Sequence, residues 1–195
     1  MKQISFFLFA SLLSITLLAQ HTPKGLALNT IAPEFSAQDQ AGKKISLKQE
    51  LKKGAVVLVF YRGQWCPYCN RSLQQLEDSL PLIRAKNARV LAITPEKTEN
   101  IVTTIRKTKA SYSILHDAGL EIMKKYDVAF SVDEPTIETY KKYGINFTVA
   151  NGEKNGANLP VPAVYVINTE GKIIYRFFDT DYKKRSSVKA ILEHL

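Results

Sequence analysis

The feature that most constrains this chain is a seven-residue apolar run, Ala55-Val56-Val57-Leu58-Val59-Phe60-Tyr61, broken by Arg62-Gly63-Gln64 and followed at once by Trp65-Cys66-Pro67-Tyr68-Cys69. A β-branched run without polar alternation is the pattern of a strand covered on both faces. Beyond the cysteines, Leu73, Leu76 and Leu80 recur at helical spacing, and Pro81 is expected to end or kink that helix. The opening unit is therefore a buried strand that turns directly into a helix.

The same alternation continues. Residues 89–94 read as a second buried strand stopped by Pro95, and residues 96–109 as a helix with Ile101 and Ile105 on one face. Residues 112–115 read as a short third strand and 118–126 as a helix. Strand, helix, strand, helix, strand predicts right-handed parallel crossovers with helices on the sheet faces. Before this unit, residues 35–37 and 44–47 flank the turn-like Asp39-Gln40-Ala41-Gly42 as a short hairpin, and 48–53 form a helical turn ended by Gly54. After it, residues 135–143 are expected to be helical. Asn151-Gly152 and Asn155-Gly156 mark a loop. Residues 163–167 and 173–177 flank Asn168-Thr169-Glu170-Gly171 as a hairpin, and Ser186 or Ser187 caps a last helix carrying Val188, Ile191 and Leu192. The fold class is α/β, a central mixed sheet flanked by helices, with a length that suits one domain over residues 28–195.

The first twenty residues differ from the rest. Lys2 precedes an apolar run over residues 4–19, and His21-Thr22-Pro23-Lys24 follow, which is the order of a secretory signal peptide cut near Ala19 or Gln20. The run is short for a bilayer span of about 20 residues. The expected location is therefore export, to the periplasm or outside the cell, without stable membrane association after removal of residues 1–20. Formal net charge is +9, one less without Lys2. The positive residues are scattered and the densest run, Lys183-Lys184-Arg185, is short, so it reads as a solvated face rather than a nucleic-acid patch.

There are two cysteines, Cys66 and Cys69. A bond between residues this close shuts a very small loop and adds little stability through chain entropy, so the pairing is chemical rather than structural. The thiolate is the nucleophile, and a free cysteine titrates at about 8.5. A helix start offers unpaired N–H groups and the positive end of the macrodipole, both of which favour an anion. Cys66 falls at that start, Pro67 suits the first helical position, and Cys69 lies one turn further in. One thiol attacks and the other resolves the resulting adduct. Half of a structural zinc site is the competing reading, but zinc takes about four ligands. The available histidines are His21, His116 and His194, two of them near the chain ends. No cofactor and no metal are expected.

The segment Phe60-Tyr61-Arg62-Gly63-Gln64-Trp65-Cys66-Pro67-Tyr68-Cys69-Asn70 resembles the peroxiredoxin-like branch of the alkyl hydroperoxide reductase/thiol-specific antioxidant (AhpC/TSA) family, within the thioredoxin superfamily. The likeness covers roughly residues 32–178, including Ala32-Pro33-Glu34-Phe35 and the strand end at His116-Asp117. It implies a thioredoxin-like fold, a redox-active disulfide, an antioxidant peroxidase activity and a thioredoxin-like reductant. Trp65 before the first cysteine looks like thioredoxin, and Cys66-Pro67-Tyr68-Cys69 looks like glutaredoxin. Val161-Pro162 falls where those proteins hold a cis-proline beside the cysteine pair, so a cis bond is expected there. In the family pattern Pro-x-x-x-Thr/Ser-x-x-Cys, Cys69 takes the peroxide-attacking position, Cys66 that of the Thr/Ser, and Arg62 that of the proline. Pro162 stands near the place of the family's distant arginine. Three of four positions thus differ, which leaves three readings: a peroxidase, a thioredoxin/glutaredoxin-like protein-disulfide reductase or exchanger, and a non-enzymatic redox-sensing module. The expected site is catalytic Cys66 and Cys69, supported by Arg62, Trp65, Pro67 and Pro162. Arg62 either stabilises thiolate or is a solvated strand-end charge. Trp65 and Tyr68 either form a docking surface or pack over the sheet. His116 reads as a structural strand-end residue. The electron donor and the oligomeric state are not encoded in any recognisable motif.

Overall fold

The computed structural model describes residues 21–195, so the signal peptide expected over residues 1–20 lies outside the described residues. The expected opening hairpin is present as β1 (Ser36–Gln38) paired antiparallel with β2 (Lys44–Ser46), followed by α1 (Leu47–Leu51). The apolar run forms β3 (Ala55–Phe60), and the cysteine segment leads into α2 (Pro67–Asp78). Pro81 does more than end that helix. Ser79 closes α2, and Pro81 sits in the first turn of a separate helix, α3 (Leu80–Ala85), where its missing N–H costs nothing. Then follow β4 (Ala88–Thr94), α4 (Thr98–Thr108), β5 (Ser113–His116), a 3₁₀ turn at Ala118–Leu120 and α5 (Glu121–Lys125).

The stretch expected to be helix and loop also holds a small sheet. β6 (Ala129–Ser131) pairs antiparallel with β7 (Asn158–Pro160), bracketing α6 (Glu134–Lys142) and α7 (Phe147–Asn151). Three residues per strand leave too short a period for sequence pattern to register. The chain ends with β8 (Ala163–Ile167), β9 (Ile173–Phe178) and α8 (Val188–Glu193), whose cap is Ser187, accepting from the Ala190 N–H at 3.1 Å.

The main sheet has the order β5-β4-β3-β8-β9, with β3, β4 and β5 parallel and β8 and β9 antiparallel to their neighbours. Alternation along β3 feeds two cores: Val56, Leu58 and Phe60 pack on one face, and Val57, Val59 and Tyr61 on the other. Helices α2, α3, α4 and α8 cover the second face, and both cysteines belong to that core. A single row crosses the sheet at Leu115, Ile93, Phe60, Ala163 and Phe178. The segments just beyond this row, at Asp117, Glu96, Arg62, Pro162 and Asp179, therefore emerge along one edge of the sheet. In open α/β sheets that edge, beyond the carboxyl ends of the parallel strands, is where sites are built.

Candidate active site

Cys66 occupies the N-cap of α2, with extended backbone and Pro67 next to it inside the helix. Its Sγ accepts the Cys69 N–H at 3.3 Å, so the sulfur does the work that a serine or threonine oxygen does in an ordinary cap. Cys69, one turn in, faces the same core. Both side chains are buried, at 1% exposure each. The turn that delivers them is held by the Cys66 N–H on the Gly63 carbonyl and by Asn70 Nδ2 on the Gln64 carbonyl at 2.8 Å. Gly63 has no room for a side chain: a Cβ there would lie 2.5 Å from Trp65 Nε1 and 2.8 Å from the Glu96 carboxyl group.

The structure corrects the reading of the basic run. Lys183 and Lys184 are exposed, but Arg185 turns inward, and its Nη2 donates to Cys69 Sγ at 3.2 Å and to Cys66 Sγ at 3.8 Å. Residues 179–187 follow β9, whose end lies beside Ala163 and thus beside β3. The antiparallel hairpin is what carries a residue 116 positions away to the sulfur. The Cys69 thiol is lowered to about 6. Burial opposes ionisation, but the Cys66 thiol donating to it, the Arg185 charge and the Arg62 main-chain amide together outweigh that burial. Cys66 moves the other way, because it keeps its proton to donate to Cys69 and because burial disfavours its charge. Within the pair, ionisation is therefore favoured at Cys69 and disfavoured at Cys66.

The Arg62 guanidinium is neither a solvated charge nor hydrogen-bonded to sulfur. It is buried, donates through Nη2 to Tyr140 Oη, and lies over the rings of Tyr182 (4.3 Å), Trp65 (4.9 Å) and Tyr140 (5.5 Å). Trp65 packs edge-on against Tyr140 and Phe147 in a small cluster under α6 and α7. Tyr68 stays 39% exposed and touches the ring of Tyr182 at 5.9 Å. Pro162 does stand beside the pair, lining with Cys69 and Arg185 a cavity of only about 10 Å³. The Val161–Pro162 bond, however, is trans. Val161 donates to the Val128 carbonyl at 2.8 Å and Pro162 accepts from Asp179, so this strand entrance is pinned on both sides in the trans form.

Glu96 is a site residue that sequence reading placed in a helix. It lies on the loop before α4, fully buried, and its Oε2 accepts the Gln64 N–H at 2.7 Å. Its Oε1 has no hydrogen-bond partner among the described residues. Burial raises its carboxyl to about 8; the Gln64 amide opposes this, the Cys69 charge adds to it and Lys107 opposes it. Lys107 reaches the same turn, with Nζ on Gln64 Oε1 at 2.6 Å. His116 places Nδ1 2.7 Å from the Glu96 carbonyl, a strand-end contact on the main chain. Among the described residues no group of three or more His, Cys, Asp or Glu is placed to hold a metal ion, and no helix is long and apolar enough to cross a membrane.

The AhpC/TSA family profile matches residues 28–176. The thiol-disulfide oxidoreductase ResA of Bacillus thuringiensis subsp. konkukian is 26% identical over 144 residues, covering 73% of this chain. The matched region spans 65% of that relative's own length, just under two thirds. Peroxiredoxin Q of Sedum lineare is 28% identical over 125 residues, covering 62% of this chain and 67% of the relative. In three dimensions the chain is similar to the peroxidoxin BcpB of Mycobacterium tuberculosis, with TM-score 0.64 and 18% identity over 89% of this chain and 96% of that one. The structural likeness fixes the thioredoxin-like fold of a central five-stranded mixed sheet flanked by helices.

Proposed function

We propose that this chain, which belongs to the AhpC/TSA family, is a thiol peroxidase in which Cys69 attacks the peroxide and Cys66 resolves. The observation that carries this reading is the guanidinium of Arg185 at 3.2 Å from Cys69 Sγ and 3.8 Å from Cys66 Sγ. Cys69 also holds the attacking position of the family pattern. The Cys69 thiolate attacks one peroxide oxygen, an S–O bond forms, the O–O bond breaks, and the alkoxide leaves as alcohol with a proton. Cys66 then attacks the sulfur of the Cys69 sulfenic acid, an S–S bond forms, and water departs. With both thiols in one helical turn, resolution needs no distant residue. Arg185 stabilises the thiolate in place of the family's arginine, whose position is taken by Pro162. Glu96, protonated below about pH 8, is a buried acid that accepts the Gln64 N–H of this turn and fits the role of proton reservoir for the departing oxygen. A thioredoxin-like reductant restores the dithiol, and the signal-like order of residues 1–20 supports a reaction outside the cytosol.

The second reading, a protein-disulfide reductase in which Cys66 attacks, is favoured by the cap position of Cys66 with Pro67 at the first helical residue. Peroxide consumption and insulin-disulfide reduction by the wild type, Cys66→Ser and Cys69→Ser separate the two. Single-turnover peroxide reduction that persists in Cys66→Ser and vanishes in Cys69→Ser is the expected result. The reverse pattern, with insulin reduction dependent on Cys66, supports the exchanger, and activity indifferent to both substitutions removes the dithiol mechanism.

A further inference from the structure

Arg62 carries a charge that the thiol chemistry above does not use. It stands just past β3, 4% exposed, and among the described residues its guanidinium makes one hydrogen bond, from Nη2 to the Tyr140 hydroxyl. No carboxylate among those residues pairs with it, and its Nε is buried without an acceptor. The rings of Tyr182, Trp65 and Tyr140 offset part of the cost of burying the charge. A ring face, however, does not accept the parallel pair of N–H bonds that a guanidinium fork is shaped to give a carboxylate. A buried cation without a counter-charge stays costly until something supplies one.

The same side chain forms part of the wall of a cleft of about 210 Å³. The cleft lies between the small sheet of β6 and β7, helix α6 and the turn after β9. Phe130 and Leu159, cross-strand partners in that sheet, line it together with Val132, Val161 and the rings of Tyr140 and Tyr182. Apart from Arg62, the charged residue in the lining is Asp133. Its carboxylate is spent at the start of α6, where it accepts the Thr136 N–H and the Thr136 hydroxyl at 2.9 Å each. What remains is a set of apolar walls and one cation with spare donors. Sites for small molecules have this make-up, a mostly apolar lining with a few placed polar groups. A cavity of about 150 Å³ suffices for one benzene ring, so about 210 Å³ takes a ring with its carboxylate. We propose that this cleft binds a small apolar monocarboxylate, with its anionic group on the Arg62 guanidinium and its body against Phe130, Val132 and Leu159. An inorganic anion would give up hydration for apolar walls, and a neutral ring would leave the cation unpaired. Pro162 lines both this cleft and the small space beside Cys69, so an acid held here lies across that proline from the sulfur. The assignment does not depend on which thiol attacks first.

Trp65 is the one tryptophan of the chain, and its ring centre lies 4.9 Å from the Arg62 guanidinium carbon, so its fluorescence reports on this place. The reduced protein is titrated at constant ionic strength with benzoate, with benzamide and with inorganic phosphate, and calorimetry gives the benzoate stoichiometry. The expected result is a saturable change at one benzoate per chain. Benzamide keeps the ring without the charge, and it should bind roughly ten- to hundred-fold more weakly, the change that losing one charge-assisted hydrogen bond corresponds to. Phosphate keeps charge without an apolar body and should not displace benzoate. Arg62→Gln should lose benzoate affinity by the same factor as the amide, and Arg62→Lys, which keeps the charge without the fork, should recover part of it. Thr136→Phe leaves Arg62 in place and fills the cleft from α6, whose Thr136 lines it; benzoate binding should vanish. Circular dichroism checks that each variant is folded. Should Arg62→Gln fail to fold, the ligand series on the wild type and Thr136→Phe decide alone. The site is overturned if benzoate on the order of 10 mM, enough to saturate a one-ring acid held by a charged contact, gives no saturable change. Benzamide or phosphate binding as tightly as benzoate overturns the carboxylate class. Benzoate affinity unchanged in Thr136→Phe, or in folded Arg62→Gln, puts the acid elsewhere and overturns the cleft.

Discussion

Replacing Arg185 with Gln removes the guanidinium from Cys69 and leaves a shorter, uncharged polar side chain. The donor lies 3.2 Å from the sulfur, and Cys69 is 1% exposed, so water screens this contact little. A hydrogen bond to a charged group is worth roughly 1.5–3 kcal/mol. At about 1.4 kcal/mol per pKa unit, that corresponds to a rise of roughly one to two units. Starting from about 6, the Cys69 thiol is then expected near 7 to 8, at roughly 1.4 kcal/mol per unit. At pH 7 the ionised fraction falls from about nine-tenths to between roughly a half and a tenth. The peroxide rate at pH 7 falls by the same factor and recovers as the pH is raised to 9. The direct assay is the pH dependence of iodoacetamide alkylation, localised to Cys69 by mass, in Cys66→Ser with and without Arg185→Gln. Arg185→Lys restores the charge but not the planar fork and should recover part of the shift. A shift below about 0.3 unit, or roughly 0.4 kcal/mol, refutes the assignment of thiolate stabilisation to Arg185.

Two buried acids give the reduced protein opposing pH dependences. The Cys69 thiol is depressed to about 6, so its contribution to stability is complete above the unfolded value near 8.5 and is lost as pH falls through about 6. Glu96 is raised to about 8, so its folded-state advantage is present below the unfolded value near 4.3 and is lost as pH rises through about 8. Between pH 6 and 8 the two slopes offset each other. Urea denaturation of dithiol Glu96→Gln should show stability rising across that window relative to wild type by about 1.4 kcal/mol per pH unit; parallel profiles would contradict the protonated Glu96. Gly63→Ala forces a Cβ to 2.5 Å from Trp65 Nε1 and 2.8 Å from the Glu96 carboxyl, and the overpacking is expected to cost about 1–3 kcal/mol in the same measurement. Leu73→Ala opens a hole between α2 and the sheet, where Leu73 is 1% exposed, with an expected loss of about 2–5 kcal/mol.

How far the sequence carried this picture depends on the range of the interaction concerned. Strand β3, helix α2 and the hairpin of β8 and β9 follow from local period and turn chemistry, and the paired cysteines follow from their spacing at a helix start. Glu96 was hidden because Pro95-Glu96 reads equally well as the first turn of α4. The signal that finds it is its place immediately past the carboxyl end of β4, the same sheet edge as Arg62. Arg185 was hidden for a different reason. Two lysines beside it, both exposed, gave the run the pattern of a solvated face. The inward turn of one residue in three comes from the hairpin register that sets Phe178 beside Ala163 and Phe60. The trans bond at Pro162 has a similar origin: the motif supplied the expectation, while long-range bonds from Val128 and Asp179 decide the backbone.

Placing cysteine where the family pattern has Thr or Ser changes what that position does without changing where it sits. At the helix cap a hydroxyl accepts one main-chain N–H and offers one donor to the attacking sulfur. Cys66 keeps both contacts, accepting from the Cys69 N–H at 3.3 Å while donating its thiol proton to Cys69. In the proposed peroxidase cycle it adds a third property, attack on the oxidised Cys69 from the same cap. The advantage is a resolving step within one turn. The cost is a competing thiol, which acquires its own claim on the helix dipole and on Arg185. A single cation lies 3.2 Å from one sulfur and 3.8 Å from the other, an asymmetry that favours Cys69 in the proposed mechanism. If Arg185 is removed, the two thiols become closer competitors, and the fraction of alkylation falling on Cys66 rather than Cys69 in the otherwise wild-type dithiol should rise. An unchanged site ratio would mean that helix position, not the guanidinium, decides which sulfur attacks first.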